Sequence, residues 1–297
     1  MIDQTVAASE RPSPALRRWL WLEILRNAVR IRRTQIGLAI VALMILIAFA
    51  GPLVAPYSPT EFVAPPNSRP SGEVIFGADT LGRDVLSRFL YGGRTVFVLS
   101  ATATVIGVAA GAAVGLLAAY SRNWLDEVLM RAGDVLLAFP PIIFVLLLVA
   151  AVGPRLWLIV LTVAATHVPR TARVIRGAAV EVVERDYVRA AEAVGEKHWR
   201  ILLGEILPNV TSPLLVELGL RMTYSIILVA GISYLGFGLQ PPTADWGLMI
   251  NENQLSITVQ PWAVVLPTAA IGLLTVGTNL VTDGIARVAI GIDRRTE

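Results

Sequence analysis

Two ionisable side chains, Glu217 and Arg221, stand in an otherwise apolar stretch of the last third of the chain. Four residues apart, they share one face of a helix and can neutralise each other. They read either as a paired anchor near lipid headgroups or as a pair facing the inner mouth of a pore. Little else could do chemistry. No H-E-x-x-H, G-x-S-x-G or paired metal-ligand spacing occurs. There is no cysteine, which removes disulfides, thiolate metal sites and thiol nucleophiles. Two histidines, His167 and His198, are too few for a histidine-rich metal cage. No catalytic residue, resident metal or bound cofactor is expected. The only lysine, Lys197, lies in Gly195-Glu196-Lys197-His198, so no G-x-x-x-x-G-K-[ST] loop can cradle nucleotide phosphates. If ATP drives this protein, another subunit must hydrolyse it.

The most informative segment is the polar one at 170–212, wedged between membrane-length apolar stretches. Asp186 can cap a helix and Gly195 is placed to end it in a left-handed conformation. Tyr187, Ala190, Ala191 and Val194 then fall on one face, with two alanines making it shallow enough for close packing. Trp199, Ile201, Leu202 and Ile206 supply apolar contacts in a second short helix, which Pro208 is expected to stop. Such a helix–glycine–helix either folds back on its own membrane domain or docks against a partner. Seven basic and six acidic residues leave the segment nearly neutral, too little charge for a nucleic-acid footprint.

The elements that must position these residues are membrane spans. The chain is 55% hydrophobic and 16% charged with mean hydropathy +0.66, against about 25% charged in soluble domains. Uncharged stretches able to cross ~30 Å of hydrocarbon lie between Arg33 and Glu61, Arg94 and Arg122, Asp134 and Arg155, Arg221 and Asp245, and Glu252 and Asp283. Leu156 to Pro169 reaches only ~21 Å and spans if Arg155 snorkels and the helix runs on past Pro169. Gly153-Pro154-Arg155 separates it from the preceding span.

The fold class is therefore an all-α polytopic membrane protein of six spans, with the 170–212 segment between the fourth and fifth. Seven arginines precede the first span, two lie at 121–134, seven basic residues lie at 170–212, and three arginines follow Asp283. The other side carries four arginines between 55 and 94 and one at Arg155. This asymmetry puts both termini and the long polar segment in the cytoplasm.

Four units follow. Residues 1–36 form a cytoplasmic N-terminal interfacial helix lying on membrane lipid, with Trp19, Leu22, Leu25 and Val29 among arginines; a disordered basic tail is the alternative. No cleavable signal peptide is expected, because the first apolar run begins only after Arg33. Residues 37–57 form the first span. Residues 58–94 form an external loop, extended by Pro59, Pro65, Pro66 and Pro70, with a surface helix presenting Val85, Leu86, Phe89 and Leu90. Residues 95–297 hold five more spans, and Gly107, Gly111 and Gly115 in the first of these invite another helix to approach closely.

Ala190-Ala191-x3-Gly195-x11-Leu207-Pro208 resembles the "EAA" loop of permease subunits in bacterial ABC importers. Arg189 stands where the motif's name puts glutamate, and Glu205 replaces the usual isoleucine; such changes are common in the peptide and nickel branch. FGADTLGRDVLSRFLYGGRT, from Phe76 to Thr95, and SYLGFGLQPPTADWG, from Ser233 to Gly247, are also similar to that branch, to the second of its two permeases. The likeness runs from about residue 30 to the C-terminus. It implies an inner-membrane heterodimer with a first permease, two ATPase subunits holding ATP and Mg2+, and an external substrate-binding protein.

The resemblance also implies that Asp186, Tyr187, Arg189, Ala190, Ala191, Gly195, Leu207 and Pro208 form the ATPase-coupling contact. The 239–262 loop, with Pro241, Pro242 and Trp246, then either caps the outer mouth, touches the binding protein, or is a half-buried interfacial turn. Peptides are the expected solute, with nickel or another small solute as the alternative. A stand-alone secondary transporter or channel is a further class, disfavoured by the scarcity of intramembrane acids, and a scaffold subunit without a pathway is another.

Overall fold

The computed structural model describes residues 14–121 and 123–291. Arg11, Arg122, Arg294 and Arg295 lie outside the described residues, as does the start of the 1–36 unit. Helix α1 (Pro14–Arg30) precedes α2 (Arg32–Val54), α3 (Val85–Ser121), α4 (Trp124–Leu137), α5 (Pro141–Val152) and α6 (Leu156–Val183). Short helices α7 (Asp186–Ala193) and α8 (His198–Arg200) follow, then α9 (Thr211–Tyr234), α10 (Trp246–Asn253) and α11 (Trp262–Ile290). Apart from two isolated β-bridges, no strand occurs among the described residues.

Among the described residues, five helical runs are long and apolar enough to cross a membrane: α2, α3, α6, the run from His198 to Tyr234, and α11. The expected third span, between Asp134 and Arg155, is not one straight helix. The stretch is divided between α4 and α5, which meet at a bend of 81°, because Pro140 and Pro141 disfavour helical backbone before them and remove two N–H donors. The short Leu156–Pro169 stretch does run on past Pro169, to Val183.

Two expectations at the other end need correction. The separate surface helix before residue 95 does not exist; Val85, Phe89 and Leu90 are the first turns of α3. Asp84 lies just ahead of them and accepts hydrogen bonds from the Ser87 amide (2.8 Å) and hydroxyl (2.6 Å), which satisfies one of the free donors of a helix start. Nor is the 55–84 segment simply extended by its prolines. It folds into a cap over the helix ends, burying Val74, Ala78, Asp79, Arg83 and Asp84.

The centre of the bundle is the seam between α3 and α6. A Cβ built on Gly107 would lie 2.7 Å from the Ala164 carbonyl oxygen, on Gly111 2.7 Å from Thr171 Cβ, and on Gly115 2.5 Å from the Ala172 carbonyl oxygen. The three glycines thus lay one backbone directly on the other, the close approach expected of small residues in membranes. Around this seam, Ala103, Val145, Val149, Val163 and Ile232 bring α5 and α9 into a common core. Helix α1 packs on α11 and buries Ala28, while Leu22 and Val29 stay exposed.

The seam sets a test of opposite signs. Gly111→Leu should destabilise the detergent-solubilised protein by about 1–3 kcal/mol, through overpacking. Gly177→Ala, on α6 with nothing within 4 Å of the added methyl, should be neutral or stabilising by up to ~1 kcal/mol. Thermal unfolding of both variants checks this; equal Tm values would contradict the seam.

Candidate functional site

Between α6 and α9 the chain turns through an elbow whose parts follow from local sequence. Helix α7 starts at Asp186, so this residue is the first helical position and not the cap; Arg185 occupies the cap without a side-chain bond. The acid still suits the positive end of the helix dipole. Gly195, at φ +76°, ends α7 as expected. Its N–H donates to Glu192 O (2.9 Å) and that of Glu196 to Ala191 O (3.1 Å), the paired bonds of a Schellman closure.

Pro208 does not stop the second helix. Helical structure continues from His198 into α9 through a widened π turn at Ile201–Ile206 and a 3-10 turn at Leu207–Val210. The widened turn accommodates a residue that lacks an N–H and crowds the carbonyl four positions back.

The expected face of Tyr187, Ala190, Ala191 and Val194 is split by the fold. Tyr187, Ala191 and Leu207 turn inward around Val188, Ile201, Leu202 and Ile206, onto Ala112 and Leu116 of α3 and Ile175 and Ala179 of α6. Pro208 is half-buried. Asp186, Arg189, Ala190 and Gly195 point to the surface, alongside Val194 (82% exposed), Trp199 (56%) and Leu203 (55%). Of the four residues expected to supply apolar contacts in the second helix, Trp199 lies outside, next to Arg200, whose guanidinium lies 5.4 Å from the indole centre. One side of the elbow is thus joined to the bundle, while among the described residues the other leaves its apolar groups largely uncovered. Asp126 of α4 reinforces the joint with two 2.5 Å bonds from Arg176.

Deeper in the bundle, Glu217 and Arg221 pair as their spacing predicts, Nε to Oε2 at 3.1 Å. Both are buried, so neither lies open at a mouth or among headgroups. Thr171 of α6 donates to Glu217 (3.0 Å), and one turn nearer the other end Ser225 meets His167 (2.8 Å) and Thr104 (2.8 Å). This polar chain links α3, α6 and α9.

At the end opposite the elbow, the two segments Phe76–Thr95 and Ser233–Gly247 come together. Trp246 is fully buried, stacks on Phe89 at 5.7 Å and donates its indole N–H to the Phe89 carbonyl (2.9 Å). It is therefore a core wedge and offers no surface to a partner. Pro241 and Pro242 are exposed. Asp245 caps α10 through the Leu248 amide (3.1 Å) and accepts from the Ser233 hydroxyl. Burial pushes its carboxyl above the usual carboxylate range, opposed by hydrogen bonds from Ser233, Leu248 and Gly247.

Below the cap lies a charge cluster that sequence reasoning missed. Glu252 Oε2 holds both Arg83 (2.9 Å) and Arg88 (2.6 Å), and Asp79 holds Arg83 (2.7 Å) and approaches Arg88 (3.5 Å). Two guanidiniums and two carboxylates cancel. Gln260 donates to the carbonyls of Ser68 (2.9 Å) and Phe76 (3.0 Å), and Asn253 accepts from the Thr80 amide (3.0 Å). The sequence places Asp79 four residues before Arg83, but gives no sign that Glu252 joins them from far along the chain.

These features define a polytopic helical membrane protein with a rigid cap at one end and a partly unsatisfied apolar elbow at the other. Residues 111–291 match the family model described as "Binding-protein-dependent transport system inner membrane component", and residues 20–70 that of the "N-terminal TM domain of oligopeptide transport permease C". The chain is 34% identical to the glutathione transport system permease protein GsiD of Pectobacterium atrosepticum, over 89% of each. It is 33% identical to the dipeptide transport system permease protein DppC of Alkalihalophilus pseudofirmus, over 89% of this chain and 88% of that one. It is 35% identical to GsiD of Escherichia coli at the same coverage. The chain belongs to the family of binding-protein-dependent transport-system permeases.

Removing one member of the charge cluster leaves one buried charge in excess. Arg88→Met should cost about 3–5 kcal/mol, and Arg88→Met/Glu252→Leu, which leaves the neutral Arg83–Asp79 pair, should recover much of it. Tm values in detergent decide; an additive double variant would contradict the cluster.

Proposed function

We propose that this chain is one of two permease subunits of an ATP-driven importer, carrying peptides delivered by an external binding protein. The relatives' names support peptides, since they are dipeptide and glutathione permeases. The arginine asymmetry supports an orientation with both termini and the elbow in the cytoplasm of an inner membrane. ATP and Mg2+ are held by two partner ATPases, and a first permease completes the passage.

The observation that carries this reading is the two-sided elbow. A lever must be stiff where it joins the moving body and free where it is gripped. Val188, Ile201 and Ile206 make the joint; Ala190, Val194, Gly195, Trp199 and Leu203 make the grip. Closure of the ATPases on ATP moves the gripped elbow, and the joint passes the motion to α3, α6 and α9. The exposed Pro241–Pro242 turn on the far side is a contact for the binding protein; a deletion there that leaves delivery unchanged would remove that assignment.

Val194→Glu and Leu203→Glu test the grip at positions already in water. Folding should change by no more than about 0.5 kcal/mol. Copurification of the ATPases and peptide uptake by the reconstituted complex should fall at least about tenfold, the effect of ~1.4 kcal/mol at a contact. Full uptake by both variants would overturn the reading.

A further inference from the structure

Arg170 is the first arginine of α6, about 21 Å along the helix from Leu156 at 1.5 Å per residue, well within ~30 Å of hydrocarbon. It is exposed, and no carboxylate among the described residues pairs with it. Its guanidinium lies 6.0 Å from the ring centre of Tyr224 on α9.

The direction of this contact matters. Helical side chains lean toward their own N-terminus, and α6 and α9 run in opposite senses. Arg170 therefore leans toward the middle of the bundle and Tyr224 leans down to meet it. An arginine snorkelling to headgroups at the elbow end would point the other way.

Arg221 lies by the same ring, its guanidinium carbon 5.3 Å from the centre. Glu217 takes its Nε and Nη2, but Nη1 is buried without a partner. Two guanidiniums thus flank one ring while the only carboxylate beside them among the described residues, Glu217, is bonded to Arg221, and the cluster carries net positive charge. An arginine facing acyl chains at this depth is costly. One that is exposed and uncompensated belongs on a watery passage. Tyr224, Ile227 and Tyr234 form the uncovered stripe of α9 beside it.

We propose that Arg170 and the Tyr224 hydroxyl, in the field of the buried Arg221 guanidinium, form a carboxylate-binding station in the passage, which takes the terminal carboxylate of the transported solute. Arg170 offers a planar fork of donors to the two oxygens, and Tyr224 holds the fork against its ring. A single net charge suits a station that must also release its occupant. This assignment rests on the peptide-import reading above.

The test uses the complete importer in proteoliposomes, with a dipeptide and its C-terminal amide each supplied with saturating binding protein. Arg170→Gln should lower uptake of the acid about tenfold or more, as for a lost hydrogen-bonded charge, leave amide uptake unchanged, and leave ATP hydrolysis stimulated by the loaded binding protein. Arg170→Lys should restore much of the acid's uptake, and Tyr224→Phe should lower it without affecting the amide. Equal losses for acid and amide would overturn the station. So would a defect that appears only when the vesicles contain phosphatidylglycerol, which would assign Arg170 to a lipid phosphate. If the wild-type importer carries neither compound, the peptide reading itself fails.

Discussion

The direct contact of α3 on α6 through Gly107, Gly111 and Gly115 is the constraint on which the other features depend. In lipid there is little hydrophobic gain from joining two apolar helices, so association rests on close packing and interhelical hydrogen bonds. Without side chains between the backbones, Thr104 of α3 and His167 of α6 both reach Ser225 of α9, and Thr171 reaches Glu217. The elbow rests on α3 and α6 just below the same seam, against Leu116 and Ile175. Widening the seam by a methyl group would separate every one of these contacts.

The two ends of the bundle solve different problems. At the cap end, four charged side chains are taken out of water, which is costly unless each is paired and hydrogen-bonded. Asp79, Arg83, Arg88 and Glu252 meet that condition as a neutral set, and the result is a rigid lid on α3 and α10. At the elbow end the chain leaves Val194, Trp199 and Leu203 in water. This apolar surface beside a buried joint is the face that the proposed function assigns to a partner. Buried charge is concentrated at one end and exposed apolar surface at the other.

Much of the fold was legible in the chain. Apolar stretches located the spans, although α3 begins ten residues before the expected limit, because the charges at Arg88 and Arg94 belong to a helix that buries the first of them. The glycine seam and the Gly195 turn were legible because each depends on a property of glycine alone. The two-sided character of the elbow was not. Tyr187, Ala190, Ala191 and Val194 sit at spacings that suggest one face, but the short α7 is tilted onto α6 so that Val188 points inward and Ala190 outward. Trp246 misled for a similar reason, since an aromatic in a proline-rich loop gives no sign of whether it faces solvent or fills a gap between helices.

Local rules decide what depends on neighbours along the chain: hydropathy marks the apolar helices, arginine asymmetry carries the proposed orientation, proline breaks α4 from α5, and glycine closes α7. Which polar groups satisfy one another is a matter of position in space. Glu252 finds Arg83 and Arg88 across more than half the chain, and Arg170 meets Tyr224 only because α6 and α9 are antiparallel neighbours. In a medium without water to satisfy them, buried polar groups must find their partners within the protein, and only the packed bundle determines which partners those are.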